Sequence, residues 1–220
     1  MEASDPRSDH RAGEPAPSSS LLTRRSRPLT HNAHSRQIWD IHCNCGHIDQ
    51  FQRYKLAIER KSNVPGGNSK RLWHGTVRAC TVGNSETETQ LCNNALCSLC
   101  SIMRASFRVA RVGKRYSFKR FGRGIYTTST SSKANDYASE RGGSGLKAML
   151  LSEVILGRVS RMTRGDSTLT EPPTGYDSVV GEPGGYHPAA GEPEGELNYD
   201  EVIVYKNEAI RPLFLVIYKP

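Results

Sequence analysis

The sequence lacks any apolar run approaching the roughly 18–20 residues a membrane-spanning helix needs. Its first twenty residues, MEASDPRSDHRAGEPAPSSS, contain no apolar h-region. Neither a membrane partner nor a secretory leader is expected. Cysteine is sparse, six residues in 220. Without a leader, these cysteines are expected to be reduced thiols or metal ligands and not disulfides. That reading places the chain inside the cell, in the nucleus or the cytoplasm. Lysine and arginine are missing altogether from 166–201, a stretch that holds nine Asp and Glu.

What is present is a polar but globular composition, 36% apolar and 24% charged, with a net charge of +8. This length suffices for one sizeable domain with a tail. The positive charge is concentrated in 71–165, which carry 16 Lys and Arg against 5 Asp and Glu. A basic body beside an acidic segment suits a phosphate-bearing ligand as well as it suits a nucleic acid. Any single basic cluster reads first as a solvated surface.

Residues 1–36 are rich in Ser, Pro, Arg and Asp and poor in apolar anchors. Such a segment buries too little surface to offset its ordering entropy, and it reads as a disordered basic, polar tail. RRSRP at 24–28 is a short basic patch within it. The domain is expected to fill 37–220. Ile48, Phe51, Tyr54, Ala57 and Ile58 recur at helical spacing and end before the breaker VPGGN at 64–68. KRLWH (70–74) reads as a short strand, 95–111 as a second amphipathic helix, and GRGIYTT (122–128) as a strand. SSKANDYASERGG (131–143) has serine at its start and paired glycine at its end, the caps of a helix. KAMLLSEVILG (147–157), DEVIVY (200–205) and PLFLVIY (212–218) read as strands. Between them, 166–197 read as a long acidic, Gly- and Pro-rich loop, with GEP at 181–183 and 191–193. Strands crowded toward the C-terminus with few helices between them favour an α+β fold over a doubly wound one.

Three segments bear chemistry. His74, at a strand end and followed by Gly75 and Thr76, offers an imidazole beside a backbone that a flat ligand can approach closely. Tyr126 on a strand and Tyr137 on the next helix can face one another as a slot for a heteroaromatic ring. Glu201 opens a buried strand, where a carboxylate can bind a ribose hydroxyl and stabilise positive charge. Singly, each has an ordinary structural reading. Together, His-Gly-Thr, then Gly-x-Gly-Ile-Tyr with a second Tyr 11 positions on, then Tyr-x-Glu-Val-Ile-Val-Tyr, resemble the His–Tyr–Glu triad of the poly(ADP-ribose) polymerase catalytic domain. The order matches, with 63 residues from His74 to Tyr137 and 64 from Tyr137 to Glu201. Pro173-Thr-Gly-Tyr-Asp-Ser178-Val-Val-Gly181 resembles the family's stretch before its last strands.

The resemblance implies the ADP-ribosyltransferase fold, with mixed and antiparallel split sheets and a few flanking helices. It implies NAD⁺ as substrate, ADP-ribose transfer with release of nicotinamide, and most naturally a protein acceptor, nucleic acid being the other partner considered. Mono- or poly-transfer stays open. Gly75 would hold the carboxamide, Tyr126 and Tyr137 the ring, His74 and Thr76 the ribose hydroxyls, and Glu201 the nicotinamide-ribose 2′-hydroxyl. One position departs from the family pattern: Ala134 stands where a serine often bonds the carboxamide, leaving Ser131, Ser132 or a water to replace it. A catalytically degenerate NAD⁺- or ADP-ribose-binding module, an NAD⁺ glycohydrolase, and a basic nucleic-acid or zinc module are the rival readings. Between Ile38 and His74 there is no space for the family's helical regulatory domain, so DNA is not expected to gate activity.

Cys80, Cys92, Cys97 and Cys100 follow a C-x11-C-x4-C-x2-C spacing, whose last half is common in structural zinc sites. Small buried apolar side chains are the alternative reading of Cys97 and Cys100. Cys43, Cys45 and His47 are too tightly spaced to hold a metal without outside ligands.

Overall fold

The computed structural model describes residues 21–25, 35–109, 120–186, 193–194 and 197–220. Residues 1–20 and 26–34 of the expected tail, and 110–111 at the end of the expected second helix, lie outside these. The described strands are β1 (Leu22–Arg24), β2 (Ser35–Ile41), β3 (Ser69–Gly75), β4 (Val77–Arg78), β5 (Ile125–Thr127), β6 (Ser139–Glu140), β7 (Lys147–Ile155), β8 (Val159–Met162), β9 (Ser178–Gly181), β10 (Gly185–Tyr186), β11 (Pro193–Glu194), β12 (Glu201–Val204) and β13 (Ile210–Tyr218). Three α-helices accompany them: α1 (Cys45–Ser62), α2 (Ser98–Ala105) and α3 (Ser131–Tyr137). The fold is α+β, as the strand-rich C-terminal half implied.

Two sheets organise the chain. One runs β1-β2-β13-β7-β3, antiparallel throughout, and the other β5-β12-β9-β8, antiparallel except for the β8–β9 pair. They touch where Trp73 of β3 and Thr128 exchange backbone hydrogen bonds of 2.8 and 3.1 Å. Leu150, Leu215, Ile217 and Ile203 are fully buried in the central strands β7, β13 and β12. Burial on both sides explains the near-continuous apolar runs that marked these strands in the sequence.

Helix α1 starts three residues before the first apolar repeat because the Asn44 side chain caps it, accepting from Gly46 N–H at 2.8 Å. It ends at Asn63 in the left-handed conformation, before the 3-10 turn Pro65–Asn68. Its last turn is tied to the second sheet by Asp177. That buried carboxylate accepts from Ser62 Oγ (2.8 Å), Lys61 Nζ (2.9 Å) and Arg158 N–H (2.9 Å). Burial pushes the Asp177 carboxyl up, but these donors outweigh it and hold the pKa below the ordinary value.

Four segments differ from the expectation. The second helix, expected over 95–111, is formed among the described residues by Ser98–Ala105 alone and is ended by Ser106, whose φ is +56°. Leu22–Arg24 pair with β2, and Leu22 is only 2% exposed, so this short piece has the apolar anchor that the surrounding composition lacks. Of the basic patch at 24–28, Arg24 pairs with Glu86 and Arg25 with Asp40, while 26–28 lie outside the described residues. Helix α3 stops at Tyr137, because Ser139–Glu140 pair in parallel with β4 instead. Within 166–197, Ser178–Gly181 form β9 between β12 and β8, and part of that stretch lies outside the described residues.

Candidate active site

The end of β3 is set by hydrogen-bond alternation. Trp73 turns its peptide groups toward Thr128, so in an antiparallel strand those of Gly75 point to the same edge, away from β7. Helix α3 crosses Gly75 so closely that a Cβ there would lie 1.9 Å from the Ala134 carbonyl oxygen and 3.0 Å from Ala138 N. Only glycine allows that approach. Ala134 is buried, its neighbours in the apolar cluster being Ala138 and Met149, with Trp73 and Tyr218 against it.

His74 lies between the sheets. Its Nδ1 is 2.8 Å from the Tyr126 carbonyl oxygen, and since a carbonyl only accepts, Nδ1 carries the proton and Nε2 is left as an acceptor. Desolvation lowers the His74 pKa below 6.5 despite the Tyr126 carbonyl, so the ring is neutral at pH 7. The Phe107 ring meets it edge-on at a centroid distance of 5.0 Å.

Tyr126 on β5 is fixed at both ends. Its hydroxyl donates to the Gly122 carbonyl and accepts from Phe121 N–H, each at 2.9 Å, while its backbone pairs with Ile203 of β12. Burial drives its phenol pKa well above the ordinary range. Tyr137, at the end of α3, is 40% exposed.

Glu201 opens β12 opposite Gly181 of β9 and is 8% exposed. Its carboxylate lies 3.3 Å from Lys133 Nζ. One turn along α3, Tyr137 presents its ring 5.7 Å from the same ammonium. Asp200 faces α3's approach, accepting from Ser129 N–H (2.9 Å), Ser129 Oγ (2.7 Å) and Thr128 Oγ1 (3.0 Å). The loop into α3 is thus clamped to the residue before Glu201.

Among the residues singled out from sequence, His74 and Tyr126 touch directly, and Glu201 and Tyr137 are joined through Lys133. Gly75 lies under α3. Thr76 is engaged through its carbonyl, which accepts from Ser139 N–H at 3.2 Å. Lys133, Asp200 and Phe107 were missed. Lys133 is four residues from Tyr137 and shares its helix face, and Asp200 adjoins Glu201, so both had a local signal.

Cys80, Cys92, Cys97 and Cys100 gather beside β4 and the start of α2, their sulfurs within 4.8 Å of one another, and could hold a metal. Hydrogen bonds from Cys100 and Cys80 hold the Cys97 thiol well below its usual range. Among the described residues Cys43, Cys45 and His47 form no such group, and Cys43 Sγ instead approaches the Pro212 carbonyl at 3.5 Å.

A family model described as the Poly(ADP-ribose) polymerase catalytic domain matches residues 20–220. The chain is 29% identical over 178 residues to the mouse (Mus musculus) protein mono-ADP-ribosyltransferase PARP3, covering 80% of this chain and 27% of that protein. The chicken (Gallus gallus) protein of the same name is 45% identical over 98 residues, 43% of this chain and 18% of that protein. Poly [ADP-ribose] polymerase 1 of Arabidopsis thaliana is 23% identical over 222 residues, 86% of this chain and 21% of that protein. The chain therefore spans about a fifth to a quarter of the length of these curated relatives.

Proposed function

The chain belongs to the poly(ADP-ribose) polymerase catalytic-domain family, and from that premise we propose that it transfers ADP-ribose from NAD⁺ to an acceptor and releases nicotinamide. The observation that carries this reading is the chain of contacts His74–Tyr126, β5–β12, Glu201–Lys133–Tyr137, which joins the triad candidates from three distant segments.

In this proposal the nicotinamide ring enters between Tyr126 and Tyr137, with its carboxamide on the free peptide edge of Gly75. His74 Nε2 accepts from a ribose hydroxyl, and Thr76 supplies a further contact. The C1′–N bond breaks with its electron pair leaving on nicotinamide, which departs neutral from a pyridinium. Glu201 binds the 2′-hydroxyl and stabilises the positive charge that grows on the ribose. Lys133 fixes the Glu201 carboxylate before substrate arrives. Orientation and charge stabilisation therefore make up most of the catalysis. Ala134 withholds one hydrogen bond from the carboxamide.

A protein side chain is the proposed acceptor, in a reducing intracellular compartment of the cytoplasm or nucleus where six free thiols persist. Between β2 and β3 the only helix with α geometry is α1, so nicked DNA is proposed not to stimulate turnover.

The test is incubation with NAD⁺ labelled on the adenylate, following nicotinamide and macromolecular label together, with Glu201→Gln and His74→Ala alongside. The expected result is label transfer that falls by roughly 10²–10³ in the Glu201→Gln variant; a single shift or a ladder separates mono- from poly-transfer. Nicotinamide release with free ADP-ribose alone would make the chain a glycohydrolase. Absence of release from folded protein would make it a binding module.

A further inference from the structure

Away from the candidate active site, four cysteines are drawn together by supports of their own. Cys80 Sγ lies 3.8 Å from Cys97 Sγ and 3.6 Å from Cys100 Sγ, and Cys92 Sγ completes a group spanning no more than 4.8 Å. Four sulfurs bound tetrahedrally at about 2.3 Å from one ion stand roughly 3.8 Å apart. A disulfide would need about 2.05 Å, and all four are free thiols.

The backbone presents each sulfur separately. Cys80 follows β4 under Gly142, where a Cβ would come within 2.7 Å of the Cys80 carbonyl oxygen. Cys97 is delivered at the start of α2 by a turn on Asn94, whose carbonyl accepts from Cys97 N–H and whose side chain accepts from Leu96 N–H, each at 2.9 Å. Cys100 follows one turn later. Arg104, further along α2, donates to the Cys92 carbonyl at 2.9 Å and to Asn93 Oδ1 at 3.1 Å, holding the Cys92 segment against the helix. Ala79 N–H points at Cys97 Sγ from 3.3 Å, a donor suited to a thiolate.

A second observation concerns charge. Arg78 is fully buried, its guanidinium donating to the carbonyls of Leu146 and Val82 at 2.9 Å and to Asn84 Oδ1, while Nε has no hydrogen-bond partner among the described residues. Arg78 is the last residue of β4, two positions before Cys80, and it is anchored to the carbonyl of Val82, two positions after Cys80. A divalent ion held by four thiolates keeps two negative charges, and a buried cation beside it offsets them.

We propose that Cys80, Cys92, Cys97 and Cys100 bind one structural zinc ion, which closes the loop between β4 and α2. Four thiolates leave no open position, so the metal takes no part in chemistry. Its role is mechanical: it pins α2, and with it the Phe107 ring that backs His74.

The test is elemental analysis of the full chain after passage over chelating resin. The expected content is about one zinc per chain, released when a mercurial thiol reagent titrates the protein. Growth in cobalt should give the intense sulfur-to-metal charge-transfer bands of a tetrahedral thiolate site, a reading that needs no variant. Cys97→Ser and Cys100→Ser should lose the metal and lower Tm by about 10 °C or more, whereas Cys43→Ser and Cys45→Ser should keep both. Folded protein with less than about 0.1 zinc per chain and six reactive thiols would overturn the proposal, since a structural site is filled. So would iron in its place, or a mass two hydrogens short from a disulfide.

Discussion

Replacing Gly75 by alanine tests how tightly α3 is seated on β3. The new Cβ would lie 1.9 Å from the Ala134 carbonyl oxygen and 2.9 Å from its carbon. Ordinary contact for such atoms is about 3.3 Å, within the 3.3–3.6 Å range of close C···O approaches, so roughly 1.4 Å of movement is required. No flexible side-chain tip can absorb it, because the obstacle is the backbone of α3. Overpacking of this kind costs about 1–3 kcal/mol, which for a domain of this size is a Tm loss of roughly 2–12 °C. The larger effect should be functional. Lys133 and Tyr137 ride on α3, and a misplacement near 1 Å can cost about 10²-fold in rate. The assay is nicotinamide release beside thermal melting, with Gly46→Ala in α1 as the control, where a Cβ meets only a side-chain oxygen at 3.2 Å. A Gly75→Ala protein with wild-type Tm and turnover within twofold would refute the close approach of α3.

Three further outcomes follow from the site. Lys133→Met should reduce nicotinamide release by about tenfold or more through loss of the carboxylate's fixed position, with Tm nearly unchanged, and unaltered kinetics would exclude the Lys133–Glu201 contact from function. Ala134→Ser should strengthen binding of nicotinamide-like carboxamides by roughly fivefold, the worth of one hydrogen bond of about 1 kcal/mol; calorimetric titration showing no gain would mean the hydroxyl cannot reach the ligand. His74 has a folded pKa below its value of 6.5 in the unfolded chain, so the unfolded state binds the extra proton. Stability should be fully present above that value and fall as pH drops through the His74 window. A His74→Phe variant should lack that part of the loss, and parallel Tm-against-pH curves for the two proteins would refute the assignment.

The sequence made the strands of the core legible wherever burial alone fixed their pattern. β7 and β13 are covered on both sides, so their apolar runs stand out without knowledge of a partner. α1 was readable from Phe51 and Ile58, which face the sheet, but its true start depended on Asn44, a capping contact that hydrophobic spacing does not register. The end of α3 was misjudged for a different reason. Ser131–Gly143 carry good helix caps, yet Ser139 and Glu140 find partners on β4, more than 60 residues earlier, and pairing overrides local preference. β9 is four residues of an acidic, glycine-rich stretch and becomes a strand because β12 and β8 flank it. Lys133 shows both sides of this: its spacing from Tyr137 is local, but its partner Glu201 is 68 positions away, and no local pattern joins those two.

Asp200 and Glu201 are consecutive acids with divergent duties, one fastening the loop into α3 and the other meeting Lys133. Their roles divide where the strand begins: Asp200 lies just before β12, and Glu201 is its first residue. This gives the protein a sharp tolerance boundary. Deleting Glu201 would draw Asp200 into the first position of β12 and pull it away from Ser129, so one carboxylate would be left for two duties. Composition, net charge and helix content would barely change. The proposed transfer would still be lost, because at this point in the chain position matters more than composition.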